Sequence, residues 1–307
     1  MKQVLFTGGT GLIGRRLTEW LLGKGYAVAF LSRGSRSETH LHPDVKTYTW
    51  DIRKGELDET ALEESHYLIH LAGAPVADHR WTPDRRKEIL ESRVGTLDLI
   101  TDRLTLRGLA FDAVVSASGI SYYGEDTGEE LLTEEHPSGK GFLAEVSRKW
   151  EEAVDRIGEL GIRTVKLRTG LVLSREGGAL PALLPPVQWG VGSPLGTGKQ
   201  FQSWIHLDDL CRMYADALED PWSGAYNAVG PRPVSNEELM KTLAGVLHKP
   251  FWAPNVPAWV LRLVLGERAA LVLGGNRADN QRIRKETGFQ YLHTDLRSAL
   301  ESLLTNG

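Results

Sequence analysis

The sequence predicts an α/β protein: a doubly wound parallel sheet with a smaller, mainly helical C-terminal substrate cap. Three observations predict it. Through the first third of the 307 residues, short apolar runs of strand length alternate with longer stretches of helical period, the pattern of βαβ units. The first run ends in a glycine-rich turn that opens a helix. After Trp222 the pattern becomes mainly helical.

Each element follows from its own residues. Residues 3–6 read as the first strand. Leu12, Ile13, Leu17, Leu21 and Leu22 recur at helical spacing over residues 11–24, where Gly23 and Gly25 bracket the end. Residues 27–31, 47–50 and 67–71 give three more strands, each short and apolar as buried parallel strands are. A long helix is expected over 82–107, with Pro83 at its start and Ile89, Val94, Leu97, Ile100 and Leu104 along it. A strand at 113–116, a helix at 142–158 and a strand at 162–167 follow. Residues 170–198 then carry seven glycines and four prolines, which mark loops around short helices and a substrate-side flap at about 170–203. Ser235 opens a helix to 248 with a capping-box-like Ser-Asn-Glu-Glu, and helices at 257–265 and 295–304 complete the chain. The expected division is a nucleotide-binding domain at 1–221 and a cap at 222–307, with a helical tail from about 255.

Composition narrows the function classes. Lys and Arg total 36 against 40 Asp and Glu, so no global basic field exists to draw nucleic acid. The single cysteine, Cys211, cannot form an internal disulfide and fits a reducing compartment. The N-terminal apolar run is too short for a signal-peptide core, and no run suits a membrane span. A cytoplasmic protein without a membrane or nucleic-acid partner is expected.

The strongest local signal is Thr7-Gly8-Gly9-Thr10-Gly11-Leu12-Ile13-Gly14, between the first strand and its helix. A pyrophosphate at a helix N-terminus needs backbone N–H groups aimed at it and no Cβ atoms in the way. Gly8 suits the tight turn, Gly11 the close approach, and Gly14 the packing of helix on sheet. The arrangement is that of a Rossmann-type dinucleotide site. At the end of the second strand, where an NAD site places a carboxylate for the ribose 2′-hydroxyl, the chain has Ser32-Arg33. A guanidinium pairs with a 2′-phosphate that a carboxylate would repel, so NADP(H) is the expected cofactor. Arg36 is a second candidate for that phosphate.

Several separated segments carry a resemblance. Thr7 to Gly14, Leu71-Ala72-Gly73, Leu167-Arg168-Thr169-Gly170 and Trp204-Ile205-His206-Leu207-Asp208-Asp209 together resemble the extended short-chain dehydrogenase/reductases, which include nucleotide-sugar epimerases and dehydratases. Ser116-Ala117-Ser118 with Tyr122-Tyr123-Gly124, Lys149-Trp150-Glu151, Gly177-Gly178-Ala179-Leu180 and Pro257-Ala258-Trp259 are similar to an atypical subfamily called epimerase family proteins. The resemblance spans essentially the whole chain. It implies that Thr10, Gly11, Leu12 and Ile13 cradle the pyrophosphate and that Ser32 and Arg33 take the 2′-phosphate. Leu71 and Ala72 would pass beneath the adenosine ribose and pyrophosphate, Glu88 and Arg93 would face the cofactor from the long helix, and Val172 would lie near the nicotinamide. On their own chemistry, Leu71, Ala72 and Val172 serve equally as core residues, and Glu88 and Arg93 as an exposed helix pair.

The chain departs from its superfamily at the catalytic tyrosine. Ordinary members use Tyr-x-x-x-Lys, because an ammonium near a phenol lowers its pKa and lets it shuttle a proton while hydride moves. Four residues before Lys149 this chain has Glu145. The two form either a helix salt bridge or a sign that the proton role has moved. Ser118 best matches the catalytic serine, and Tyr123 or Tyr122 is the candidate proton donor, with packing of the pocket as the competing role.

Other chemistries fall away. No histidine or cysteine cluster has zinc-ligand spacing on one helix, so no metal is expected, and neither a Gly-x-Ser-x-Gly elbow nor a phosphate-loop Gly-Lys-Ser/Thr occurs. His206, Asp208 and Asp209 read as structural, holding the flap and capping the next helix. Trp189 and Trp204 are either walls of the substrate pocket or core. The function expected is an NADP(H)-binding oxidoreductase or epimerase-like enzyme acting on a small carbonyl or hydroxyl substrate. The alternative is a catalytically silent NADP(H)-binding redox sensor or scaffold. The helices at 82–107 and 142–158 offer a surface for a homodimer of the kind common in related folds.

Overall fold

The structure, a computed structural model, describes residues 1–34 and 42–304; Arg36 lies outside the described residues. The chain begins with β1 (Gln3–Thr7), α1 (Leu12–Gly23), β2 (Ala27–Ser32), β3 (Val45–Asp51), β4 (Glu56–Leu57), α2 (Thr60–Glu63), β5 (Tyr67–His70) and α3 (Pro83–Arg107). It continues through β6 (Ala113–Gly119), β7 (Leu131–Leu132), α4 (Phe142–Gly158), β8 (Arg163–Thr169), β9 (Leu171–Leu173) and α5 (Leu180–Gln188). Next come β10 (Phe201–Gln202), β11 (Trp204–His206), α6 (Leu207–Glu219), β12 (Gly224–Ala228), β13 (Val234–Ser235) and α7 (Asn236–Val246). The last elements are α8 (Ala258–Leu265), α9 (Ala270–Leu273), β14 (Arg277–Ala278), α10 (Gln281–Thr287) and α11 (Leu296–Leu304).

Eight strands form the central sheet in the order β12-β8-β6-β5-β1-β2-β3-β4, parallel except for the short β4. The order reverses between β1 and β5, which makes a crevice outside their carboxyl ends. α1 packs beside α6 and α3 beside α4, so helices cover both faces of the doubly wound sheet. Caps fix the helix starts. Thr82 accepts from Arg85 N ahead of Pro83, and Ser235 accepts from Glu238 N, as the capping pattern requires.

Two strands run further than the apolar pattern suggests. β6 continues through Ser116 and Ser118 to Gly119, and β8 through Lys166 and Arg168 to Thr169. Their polar residues are buried: Ser118, Lys166 and Arg168 find partners on α4, and Ser116 donates to the Ala117 carbonyl of its own strand.

The main core fills both faces of the sheet. A second, smaller core joins the flap to the cap: Leu173, Leu180, Val187 and Trp204 pack with Leu239, Met240, Leu243 and Leu300. Trp204 is therefore a core residue, while Trp189 is 77% exposed. The boundary expected at 221/222 also shifts, because β12 pairs with β8 as a strand of the main sheet. No helix among the described residues is long and apolar enough to cross a membrane.

Candidate functional site

The glycine turn leaves β1 at the sheet's crevice. Gly8 has φ +74°, and a Cβ there would lie 2.7 Å from Ala72 N, so strand β5 can approach only a glycine. A Cβ on Gly14 would fall 2.4 Å from the Gly9 carbonyl oxygen, which lets α1 sit hard against the turn. Gly11 caps α1 with no side-chain acceptor, and no acidic residue stands in the first turn. The N–H groups of Leu12 and Ile13 thus face the crevice end of a twelve-residue helix, where an anion is favoured.

Gly8, Thr10, Gly11, Ser32, Arg33, Leu71, Ala72 and Glu88 line one cleft of about 1400 Å³. Trp50, Asp51, Ile52 and Arg53, at the end of β3, close the side next to Ser32 and Arg33. The turn, the exposed helix N–H groups and the cation at the end of β2 fit a dinucleotide bearing a 2′-phosphate.

Glu88 and Arg93 do not form a pair. Glu88 accepts from Arg85 Nη1 at 2.7 Å at the cleft wall. Arg93 instead turns behind the end of β5: its guanidinium packs on Gly73, donates to Ile89 O and Ala74 O, and lies over the Trp150 ring at 5.1 Å. Burial, with Arg85 beside it, pushes its pKa down to about 10. Next to it His70 is fully buried, with Nδ1 2.7 Å from Thr7 Oγ1 and Nε2 without a partner. Burial and the Arg93 charge push this imidazole down to about 3, so it is neutral.

The residues expected to perform catalysis lie in a buried polar network. Ser118 Oγ donates to Glu151 Oε1 at 2.7 Å, and Arg168 donates to both Glu151 oxygens at 2.8 and 2.9 Å. Tyr123 OH accepts from Arg168 Nη1 at 2.9 Å and donates to Asn227 Oδ1 at 2.7 Å. Arg168 stacks on the Tyr122 ring at 3.6 Å. Burial pushes the Tyr123 phenol up to about 12, against the opposing pull of Arg168. Ser118 and Tyr123 were expected to present hydroxyls to a substrate; the structure turns both toward Glu151, Arg168 and Asn227 instead. A hydroxyl pair does stand at the end of β6: Ser121 Oγ is 3.0 Å from Ser147 Oγ, beside Gly119. Lys149 and Glu145 are 2.7 Å apart on the solvent side of α4, a surface ion pair.

The flap meets the glycine turn. A Cβ on Gly177 would stand 3.4 Å from Leu12 Cδ1, and Gly178 (φ +75°) lies against Val172 O and Leu12. Val172 itself pairs with Ile205 between β9 and β11. His206 Nδ1 accepts from Asp208 N at the start of α6, Asp208 accepts from Arg16 Nε, and Asp209 accepts from Leu292 N and His293 N. His206, Asp208 and His293 place potential ligand atoms within 4.8 Å of one another. The two rings are stacked at 3.6 Å with 23° between their planes, so their lone pairs lie in separate, nearly parallel planes.

Residues 4–229 match the NAD dependent epimerase/dehydratase family, and residues 256–303 match a domain of unknown function, DUF1731. The chain belongs to the NAD-dependent epimerase/dehydratase family. The epimerase family protein SDR39U1 homolog, chloroplastic, of Arabidopsis thaliana is 35% identical over 306 residues, covering 98% of this chain and 86% of the relative. The epimerase family protein YfhF of Bacillus subtilis is 33% identical over 305 residues, covering 99% and 98%. The crystal structure of the human epimerase family protein SDR39U1 with NADPH superposes with a TM-score of 0.85 at 32% identity, over 99% of both chains. The UDP-glucose 4-epimerase of Thermotoga maritima, at 18% identity with a TM-score of 0.81 over 99% and 97%, shares the fold.

In this epimerase/dehydratase-family chain, the sequence pattern assigns no role to Glu151, Asn227, Ser121 or Ser147, although Glu151 stands in one of the segments that carry the resemblance. Glu151 left a signal in its own helix: it is buried among Ala144, Trp150 and Val154 on the apolar face of α4. A carboxylate there requires a buried cation. Asn227, in an apolar edge strand, left only the rule that a buried amide must find partners.

Proposed function

We propose that this protein is an NADP(H)-dependent oxidoreductase of the epimerase/dehydratase kind, acting at a carbonyl or hydroxyl carbon of a small molecule. The observation that carries the reading is the pairing of Ser32 and Arg33 with the glycine turn in one cleft, with no carboxylate where an NAD site would place one. The NADPH in the human relative's crystal structure supports it. When bound, the nicotinamide supplies or takes up the hydride.

The chain's own residues do the rest. Leu12 and Ile13 hold the pyrophosphate through backbone N–H groups, and Arg33 holds the 2′-phosphate. Gly177 and Gly178 close the flap against Leu12, which excludes water from that end of the cleft. The Ser121 and Ser147 hydroxyls receive the substrate oxygen at the end of β6. Ser118 and Tyr123 act as positioning residues, holding β6 against α4 and β8.

The test measures NADPH and NADH binding by nicotinamide fluorescence, then NADPH consumption with a panel of aldehydes, ketones and keto-sugars. Arg33→Ala is expected to weaken NADPH roughly tenfold or more while changing NADH little. Equal losses for both would overturn the 2′-phosphate assignment. Absence of turnover across the panel, with tight NADPH binding intact, would overturn the enzymatic reading.

A further inference from the structure

We propose that Arg53 is a second cation of the 2′-phosphate subsite, so that the adenosine end is read by arginines from two adjacent strands. The inference rests on the NADP(H) reading above. β2 and β3 are parallel neighbours with Ser32 opposite Thr49, about 4.8 Å apart as paired strands are. The chain leaves β2 through Arg33 and leaves β3 into a tight turn carrying Arg53. Both side chains line the same cleft.

The turn leaves Arg53 exposed in the lining of the cleft. Asp51 Oδ1 accepts from the backbone N–H of Arg53 and Lys54 at 2.9 and 3.3 Å, Gly55 N donates to Ile52 O, and Gly55 closes the turn at φ +68°. Asp51 therefore spends its carboxylate on the turn's backbone. Among the described residues neither guanidinium, Arg33 nor Arg53, has a carboxylate partner. Of the cleft's other cations, Arg85 is engaged with Glu88 and Lys87 with Glu91, while Arg80 stands on the segment between β5 and α3 and not at the ends of β2 and β3. Two unpaired guanidiniums at neighbouring strand ends suit a dianionic phosphate, which offers three acceptor oxygens and more charge than one arginine neutralises.

A single arginine would discriminate NADPH from NADH through one contact; two would make the preference steeper and more sensitive to salt. Dissociation constants for NADPH and NADH are measured on Arg33→Ala, Arg53→Ala, Arg53→Lys and the neighbouring Lys54→Ala, at low and physiological salt. Arg53→Ala is expected to weaken NADPH roughly tenfold, leave NADH within about twofold and flatten the salt dependence. Arg53→Lys should recover part of the loss, and Lys54→Ala, which lies outside the cleft lining, should change neither. Equal weakening of both cofactors would assign Arg53 to the adenine and overturn the proposal. So would NADPH binding unchanged in Arg53→Ala while Arg33→Ala loses it, a result that leaves the NADP(H) reading standing. Loss of discrimination in neither variant would overturn both. Unliganded melting temperatures confirm that each exposed substitution leaves the fold intact.

Discussion

Glu151→Gln is the most informative single substitution, because it changes one atom in a fully committed site. Glu151 and Arg168 are both about 5% exposed, and the carboxylate accepts from Ser118 Oγ and from two guanidinium nitrogens. An amide keeps the shape but presents an NH₂ group to at least one donor, Ser118 or Arg168, and leaves the guanidinium with no counter-charge. In the native site burial lowers the Arg168 pKa, but the hydrogen bonds to Glu151 more than offset that and raise it; in the variant that support is gone, but a guanidinium is basic enough to remain charged, so the charge is left uncompensated. Breaking a buried pair by neutralising one partner costs about 3–5 kcal/mol. Tyr123 OH and Glu134 O still accept from Arg168, which places the expected loss near the lower end, about 3 kcal/mol. Urea denaturation followed by tryptophan fluorescence reads the loss as a shift in midpoint at constant slope. The double variant Glu151→Leu with Arg168→Met should recover most of it, since an apolar pair of similar volume carries no desolvated charge. A loss under about 1 kcal/mol for the single variant, or a double variant worse than both singles together, would refute the reasoning.

Three further outcomes follow from the same geometry. Gly8→Ala should abolish dinucleotide binding and destabilise the fold, because its Cβ meets the Leu71–Ala72 peptide at 2.7 Å in a left-handed backbone; calorimetry that finds wild-type affinity would contradict this. Stability should fall as pH drops below about 6.5, because His70 and His206 are held neutral with pKa values pushed down by burial to about 3 and about 4. The unfolded chain binds those protons first, so each histidine contributes a slope of up to about 1.4 kcal/mol per pH unit, levelling off near its folded value, and His70→Gln should remove its share in urea titrations at stepped pH. Asp209→Ala should cost about 2 kcal/mol in melting experiments, since its carboxylate satisfies the N–H groups of Leu292 and His293 just ahead of α11.

The parts of the fold that local chemistry dictates were legible in the chain. α4 follows its amphipathic period over residues 142–158, and α3 and α7 start where Thr82 and Ser235 cap them. The phosphate turn is legible for the same reason: glycine spacing is a local requirement. The network around Ser118 is not local. Its members come from β6, α4, β8 and β12, and only the parallel register, which sets Ser118 opposite Arg168 and Asn227 opposite Arg168, brings them together. Similarity to a family suggested a substrate-facing serine, and the place of Tyr123 near it a substrate-facing phenol; the buried Glu151 takes the serine, and Arg168 with Asn227 takes the tyrosine. Residues 224–228 fall on the cap side of the expected boundary because the pattern after Trp222 turns mainly helical, whereas the pairing of β12 with β8 is a property of the assembled sheet.

The small second core has a consequence for how such chains can be recombined. Segments 173–204 and 234–304 interlock through Leu180, Val187 and Trp204 on one side and Leu239, Met240 and Leu300 on the other. A hybrid that takes its C-terminal region from one relative and its flap from another would set mismatched surfaces against each other, so the two have to be exchanged together even though a complete strand of the main sheet lies between them.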